Sequence, residues 1–347
     1  MTRVPSYRPS PGSAVPPTLA DVAELAGVSR QTVSNAVNNP DLLRPDTLAR
    51  VLEAIDELGY SPNRAARNLR TRTSHLIGLR FAPVQEGTAN ATMDRFVHSL
   101  VETSSAAGYH VLLFPGDPQD PTTGYDALLR STAVDAFVAT DTYLGNPQAA
   151  WLEARRAPFV AFGRPWDNPD AAHPWVDVDG AAGAELATEH LIERGHTRIA
   201  WIGWRKEQLI GEDRRAGWIR AMRAHDLPTT GLASRSEDTV SSGREASGVL
   251  LDEAQPTGFV CASDTLAMGV LHLLAERGLV PGRDVAVVGF DDSQVAQVVP
   301  NGLTSVRQPL EEVAVEIVRA LEGLLTHPPI RSGGVLLSPE LIVRGSS

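Results

Sequence analysis

The stretch Thr18-Leu-Ala-Asp-Val-Ala-Glu-Leu-Ala-Gly-Val-Ser-Arg-Gln-Thr-Val-Ser-Asn-Ala-Val-Asn38 constrains the chain most, because its apolar spacing and punctuation read as two short helices joined by a tight turn. Thr18 and Asp21 form a capping signature at the first helix, whose Leu19, Val22, Ala23 and Ala26 make one apolar stripe. Gly27 ends it, since glycine alone takes the left-handed conformation without steric cost, and Ser29 is suited to cap the second helix. There Val28, Val33 and Val37 lie near one face, leaving Arg30, Gln31, Ser34, Asn35 and Asn38 on the other. Arg, Gln and Asn are the side chains that bond bidentately to guanine or adenine edges in the major groove, while Ser29 and Thr32 suit a phosphate at a helix N-terminus. An ordinary surface helix pair would more usually carry Glu and Lys there. The pattern predicts a DNA-reading helix-turn-helix.

The net charge of -11 argues against nucleic acid until its distribution is considered. Residues 1–75 hold nine Arg against seven Asp or Glu, a balance of +2 that leaves -13 on the rest. Arg64, Arg67, Arg70 and Arg72 run together without an acid, as phosphate-neutralising clusters do and as a solvated linker also can. The lone Cys261 excludes an internal disulfide, and Met1 to Pro17 is a Pro- and Ser-rich tail with no signal-peptide core, so a cytoplasmic protein with no membrane segment is expected.

Pro45 opens a third helix running to Leu58, with Leu48, Val51, Leu52, Ile55 and Leu58 as its buried stripe and Gly59 as its stop. Asn63 can cap one short helix, Arg64 to Arg70, too short to be stable alone. From Leu76 apolar runs alternate with helical stretches. Strands are expected at Leu76–Arg80, His110–Phe114, Ala136–Ala139, Phe159–Phe162, Ile199–Ile202, Gly258–Ala262 and Val285–Phe290. Helices are expected around Asp94–Ala107, Gly180–Arg194, Glu212–His225, Ser242–Leu251 and Thr265–Arg277. Such alternation implies α/β parallel sheets covered by helices, and a body of this size suggests two lobes with a cleft between them.

The chain resembles the LacI/GalR (lactose-repressor/galactose-repressor) family of transcription regulators over nearly all of its length after residue 17. The motifs that carry this are Thr18 to Ser29 with Thr32-Val-Ser34, Leu58-Gly-Tyr60 with Pro62-Asn-Arg-Ala-Ala-Arg-Asn-Leu69, Leu76-Ile-Gly78, His190-Leu-Ile-Glu-Arg-Gly-His-Thr-Arg-Ile-Ala200, Arg214 with Ala216-Gly-Trp218, Ser263-Asp264, and Val285-Ala-Val-Val-Gly-Phe-Asp-Asp292. The resemblance implies an all-α helix-turn-helix headpiece (18–62), a hinge helix and linker (63–74) and a two-lobed, periplasmic-binding-protein-like effector-binding core (75–347). The lobes comprise about 75–176 with 308–337, and about 177–307 with 338–347. It further implies a homodimer on a near-palindromic operator, paired hinge helices in the minor groove, Leu69 as an apolar wedge and Ala66 as the small residue that lets the hinges approach.

Ligands of parallel sheets sit beyond the carboxyl ends of the strands, and that rule selects Phe81–Pro83, Gly163-Arg164-Pro165-Trp166, Trp204-Arg205, Ser263-Asp264 and Asp291-Asp292. Asp and Arg make paired hydrogen bonds to vicinal hydroxyls and an indole packs on a pyranose face, so the expected effector is a mono- or disaccharide. The resemblance independently points to Arg214, Ser263, Asp291 and Gln308, and Trp166, Trp175 and Trp204 are candidate platforms. Packing roles remain open: Arg214 can pair with Asp213 or Glu212, Ser263 and Asp264 can cap the helix that follows, and each tryptophan can be a core residue. The stretch Glu237–Gly243 lacks the tryptophan found there in the lactose-repressor branch of the family. No cofactor, metal site or catalytic residue is expected. The rivals are a regulator answering to a nucleoside or sugar phosphate, a sugar-transport receptor and a sugar-acting enzyme.

Overall fold

The computed structural model describes residues 17–60 and 73–347, apart from 82–90, 118–119, 141, 167, 169, 207 and 327–332. The N-terminal tail before Pro17, the hinge helix with Asn63, Arg64, Ala66, Arg67 and Leu69, and Ala82 and Pro83 lie outside the described residues. The chain divides into two units at Ser74 and His75.

In the first unit, α1 (Leu19–Ala26) and α2 (Arg30–Asn38) are followed by α3 (Pro45–Leu58). Gly27 and Gly59 close α1 and α3 at φ 65° and 61°, a region in which a side chain would be strained. Asp21 accepts bonds from the Thr18 backbone N–H and hydroxyl at 2.7 and 2.8 Å, holding its own carboxyl below the usual range. Val22, Ala23, Ala26, Val33, Ala36, Val51 and Ala54 form the core. Leu52, expected in the buried stripe of α3, is 50% exposed, and Ala54 takes the inner position instead.

The second unit opens with β1 (Leu76–Phe81), α4 (Ala91–Ala106), β2 (His110–Pro115), α5 (Tyr125–Arg130), β3 (Ala136–Ala139), α6 (Gln148–Ala154), β4 (Phe159–Phe162) and β5 (Trp175–Val178). It continues through α7 (Gly180–Glu193), β6 (Ile199–Trp204), α8 (Leu209–Ala224), β7 (Ala233–Ser236), α9 (Val240–Glu253), β8 (Gly258–Cys261), α10 (Asp264–Glu276), β9 (Ala286–Phe290), α11 (Gln294–Val298) and β10 (Thr304–Arg307). Then come α12 (Leu310–Thr326), β11 (Val335–Leu337) and β12 (Glu340–Ile342).

Two sheets result, with orders β11-β5-β4-β3-β1-β2 and β12-β10-β9-β8-β6-β7. Every pairing is parallel except that of β12 with β10. The chain passes between the sheets after β5, after β10 and after β11. Asp177 and Val178, expected in the second lobe, are the last residues of β5 in the first sheet.

Sheet strands covered on both faces are buried throughout, as the all-buried β3, β8 and β9 show. The core of the second lobe centres on Trp201 and Trp218, 1% and 0% exposed. Beside it α7 and α8 pack so closely that a Cβ on Gly217 would lie 1.9 Å from the Ala181 carbonyl oxygen. Among the described residues no helix is long and apolar enough to cross a membrane.

Candidate functional site

The carboxyl ends of β4, β5, β6, β8 and β9 bring charged and aromatic side chains together with α8. Arg214 on α8 is 5% exposed. Its guanidinium lies 3.7 Å from the Phe290 ring centroid and 4.9 Å from that of Trp204. Nη1 donates to the Ala262 carbonyl at 2.5 Å and stands 3.6 Å from Asp291 Oδ1. Nε is buried without a hydrogen-bond partner. Burial pulls the guanidinium pKa down, opposed by Asp291, Asp238, Asp177 and Asp213. Those carboxylates balance a cation that burial alone would make very costly.

Asp291 follows β9 with φ 107°, a left-handed conformation that costs about 1–3 kcal/mol outside glycine and clusters at functional positions. Its backbone N–H donates to the Val306 carbonyl at 2.7 Å, and Gln308 Nε2 donates to Oδ1 at 2.7 Å. Burial pushes its carboxyl up to about 7, against the pull of Arg214 and with the help of Asp264. A carboxyl in that range can serve as acceptor or donor near neutrality. Gln308, 5% exposed, is thus fixed by the carboxylate it serves.

Arg164, after β4, links the lobes. Nε donates to Asp177 Oδ2 at 2.6 Å and Nη2 to the Val178 carbonyl at 3.1 Å, while Nη1 reaches Asp213 Oδ1 on α8 at 3.4 Å. Asp213 Oδ2 in turn accepts from the Ala181 N–H at 3.1 Å, and burial raises its pKa. Ser263 caps α10, accepting from Leu266 N–H at 3.2 Å, and donates to Asp238 Oδ1 at 2.5 Å.

The remaining candidates separate. Trp204 Nε1 is buried without a partner, as is Trp166 Nε1, and the Arg164 guanidinium lies 4.5 Å from the Trp166 ring centroid. Trp175 starts β5, at the amino end of its sheet, where its ring fills the space a Cβ on Gly334 would need; it is not brought to this set. Asp264, 2% exposed, accepts from the Ser293 N–H and hydroxyl and the Ser305 hydroxyl. Asp292 is clamped by Arg307 and Arg344 at 2.7 and 2.6 Å. Both are turn-holding carboxylates. Asp177, Asp213 and Asp238 join the site although the strand-end rule does not select them. Among the described residues no three His, Cys, Asp or Glu side chains converge in a way that could hold a metal.

In the headpiece Ser29 Oγ accepts from Thr32 N–H at 3.1 Å and pairs with Thr32 Oγ1 at 2.9 Å. Gln31 Nε2 donates to Asn35 Oδ1 at 3.0 Å, and Asn38 Nδ2 to the Ser34 carbonyl at 2.7 Å. Arg30 and Gln31 are exposed, and Ser34, Asn35 and Asn38 half-buried. These one-turn pairs hold the amides of the polar face in one row.

Residues 18–63 match the model of bacterial regulatory proteins of the lacI family, and residues 188–347 that of a periplasmic binding protein-like domain. The HTH-type transcriptional regulator CelR of Thermobifida fusca is 34% identical over 336 residues, 95% of this chain and 98% of that protein. A CelR–cellobiose complex superposes with a TM-score of 0.73 at 32% identity, covering 95% of this chain and 100% of the other. The Lac repressor dimer bound to operator and the anti-inducer ONPF superposes with a TM-score of 0.81 at 27% identity, covering 96% and 99%.

Proposed function

The chain belongs to the LacI family of bacterial transcriptional regulators, and from that premise we propose that it is a repressor whose operator affinity is set by a neutral sugar bound beside Arg214 and Asp291. The observation that carries the sugar reading is Arg214: a guanidinium 5% exposed, seated on two aromatic rings, with Nε unpartnered and its carboxylate 3.6 Å away. A buried donor without an acceptor costs about 1–3 kcal/mol, which a ligand hydroxyl recovers. Asp291, Ser263, Gln308, Trp204 and Arg164 complete the contacts, joined by Asp177, Asp213 and Asp238.

Four carboxylates surround Arg214. That balance disfavours a phosphate, which separates the neutral-sugar reading from a sugar-phosphate or nucleotide effector. The related CelR was captured with cellobiose, which supports the same class.

On the DNA side, α2 reads one half-site per subunit of a homodimer, with Arg30, Gln31, Asn35 and Asn38 on base edges and Thr18, Ser29, Thr32 and Ser34 placing the helix on phosphates. By family resemblance Asn63, Arg64, Ala66, Arg67 and Leu69 act in the minor groove. Sugar binding alters the Arg164–Asp213 link between the lobes and thereby operator affinity, a coupling that typically amounts to about 1–3 kcal/mol and acts reciprocally. The test is a thermal-shift panel of neutral sugars, nucleosides and sugar phosphates, followed by operator release measured by anisotropy with each hit. Stabilisation by neutral sugars with release of DNA is expected; stabilisation by phosphorylated compounds alone sinks the neutral-sugar reading.

A further inference from the structure

Two cleft residues, Ser263 and Asp291, are each followed by a buried carboxylate, and both carboxylates converge on β10. Asp264 Oδ1 accepts from Ser305 Oγ at 2.6 Å, and Asp292 Oδ2 accepts from Arg307 Nε at 2.7 Å. The Asp292 side chain is 2% exposed, and its ion-pair partners are Arg307 and Arg344 rather than Arg214. Asp291 and Asp292 are the one consecutive pair of non-glycine residues in the left-handed region among the described residues, at φ 107° and 46°. Such strain persists only where the surroundings over-determine the backbone.

Here β10 and the residue after it do so. The Asp291 N–H donates to the Val306 carbonyl at 2.7 Å, the Asp292 N–H to Ser305 Oγ at 3.0 Å, and Gln308 Nε2 to Asp291 Oδ1 at 2.7 Å. With the Arg307 bond, each of residues 305 to 308 is tied to the turn. The other Asp292 oxygen, Oδ1, accepts from Arg344 Nη2 at 2.6 Å, and Arg344 Nη1 donates to the Leu303 carbonyl at 2.7 Å. Arg307 ends β10, just before the chain passes to α12, and Arg344 follows β12, which the chain enters from β11 of the other sheet. β10 and β12 are neighbours, with Arg307 opposite Glu340. One carboxylate therefore joins the roots of two of the three passages between the sheets to the turn that carries Asp291.

We propose that Asp292 is a positioning residue for the regulatory response: through Arg307 and Arg344 it makes the Asp291 turn and the two passages move as one body, so that a displacement of Asp291 by the effector reaches the first lobe. The inference rests on the sugar reading of the cleft and adds to it the route by which occupancy is sensed. Charge-assisted bonds to a buried carboxylate hold their geometry and carry a displacement, where exposed pairs give way. A clamp that only stabilised the fold would lower the melting temperature on its removal without changing how strongly sugar and DNA affect each other.

The experiment measures sugar affinity by calorimetry, with glucose, galactose, cellobiose, maltose, lactose and melibiose, and operator affinity by anisotropy with and without saturating sugar, on the full chain. The DNA is a fluorescein-labelled duplex selected by the wild-type chain from a randomised pool. Asp292 is left in place, because its removal would strand two guanidinium groups. Arg307→Met opens one prong of the clamp and Arg344→Met the other, while Glu340→Gln controls for the 3.9 Å contact of Arg307 Nη1 with an exposed carboxylate. In the wild type, sugar is expected to weaken operator binding by roughly 5–150-fold, the usual range of such coupling. Arg307→Met and Arg344→Met should each cut that ratio at least threefold, with the sugar affinity of the DNA-free chain within threefold of wild type, and Glu340→Gln should leave it unchanged. A ratio that survives both arginine variants, that falls equally in Glu340→Gln, or that falls only in step with sugar affinity overturns the relay alone. Binding of none of the six sugars, or binding that leaves the wild-type operator affinity unaltered, overturns the sugar-effector reading and the relay together.

Discussion

Arg214→Met removes a guanidinium and keeps an unbranched apolar chain on the Phe290 ring, so it separates the ligand role of this residue from its packing. In the free protein the arginine makes one bond, to the Ala262 carbonyl, and a 3.6 Å contact with Asp291, and it bears a burial penalty. Its loss exposes little uncompensated charge, because Asp177 and Asp213 keep their bonds to Arg164, Asp238 keeps its bond from Ser263, and the Asp291 carboxyl, already at about 7, takes up a proton more readily once the cation is gone. The melting temperature should therefore move by only a few degrees, corresponding to about 1 kcal/mol for a core of this size. In the complex Nε and one terminal nitrogen each give a charge-assisted bond worth about 1.5–3 kcal/mol. At about 1.4 kcal/mol per tenfold, their loss weakens the sugar by roughly 100-fold or more. Calorimetry with the tightest sugar, beside anisotropy on the operator, reads both sides. A sugar affinity reduced less than tenfold, or operator binding lost in parallel with sugar binding, refutes the reasoning.

Asp291→Asn tests the titration. The folded carboxyl sits at about 7 against 3.8 for the free group, so between those values the folded state holds a proton the unfolded state has released, and stability falls as pH rises through that window. The variant should lose this part of the slope, gaining on the wild type between pH 5 and 8 in urea melts; parallel curves count against the shift. Gly217→Ala places a Cβ 1.9 Å from a backbone oxygen that no rotamer change can relieve, and overpacking of about 1–3 kcal/mol should lower the melting temperature by several degrees despite the helix-propensity gain. Gln31→Ala should cost about 1–3 kcal/mol of discrimination at one base pair and leave the salt dependence of binding unaltered. A uniform loss over all operator variants would assign Gln31 to the phosphates instead.

Where a periodic apolar stripe met a clear stop, the architecture was readable from residues alone. Gly27 and Gly59 end α1 and α3 in the left-handed region for the reason that made them signals. The helix α12 carries an equally plain stripe, Leu310, Val313, Ala314, Ile317, Val318 and Leu321, and was still not among the expected elements. Five strands were missed: β7 reads Ala-Ser-Arg-Ser and β11 and β12 have three residues each, too little for an apolar run to stand out, while β5 and β10, mostly buried, are four-residue stretches in which Asp177 or Thr304, Ser305 and Arg307 break the apolar run. At the site, the strand-end rule reaches Arg164, Trp204, Ser263 and Asp291 because topology alone puts them there. It also takes in Asp292, whose neighbours Arg307 and Arg344 are 15 and 52 residues away in sequence. Arg214 was reachable only through resemblance, since a helix interior gives no local sign of facing a cleft. Asp213 was visible merely as a neighbour for Arg214, whereas it bonds to Arg164, 49 residues upstream.

The three passages of the chain between the sheets have a genetic consequence. Neither lobe is a continuous piece of the gene, so a recombination event cannot exchange one lobe without cutting the other. The headpiece helices, by contrast, occupy one uninterrupted stretch that ends before residue 61. Single-junction chimeras at the linker can therefore pair one regulator's operator with another's effector, while a new effector specificity must arise by point substitution inside the core.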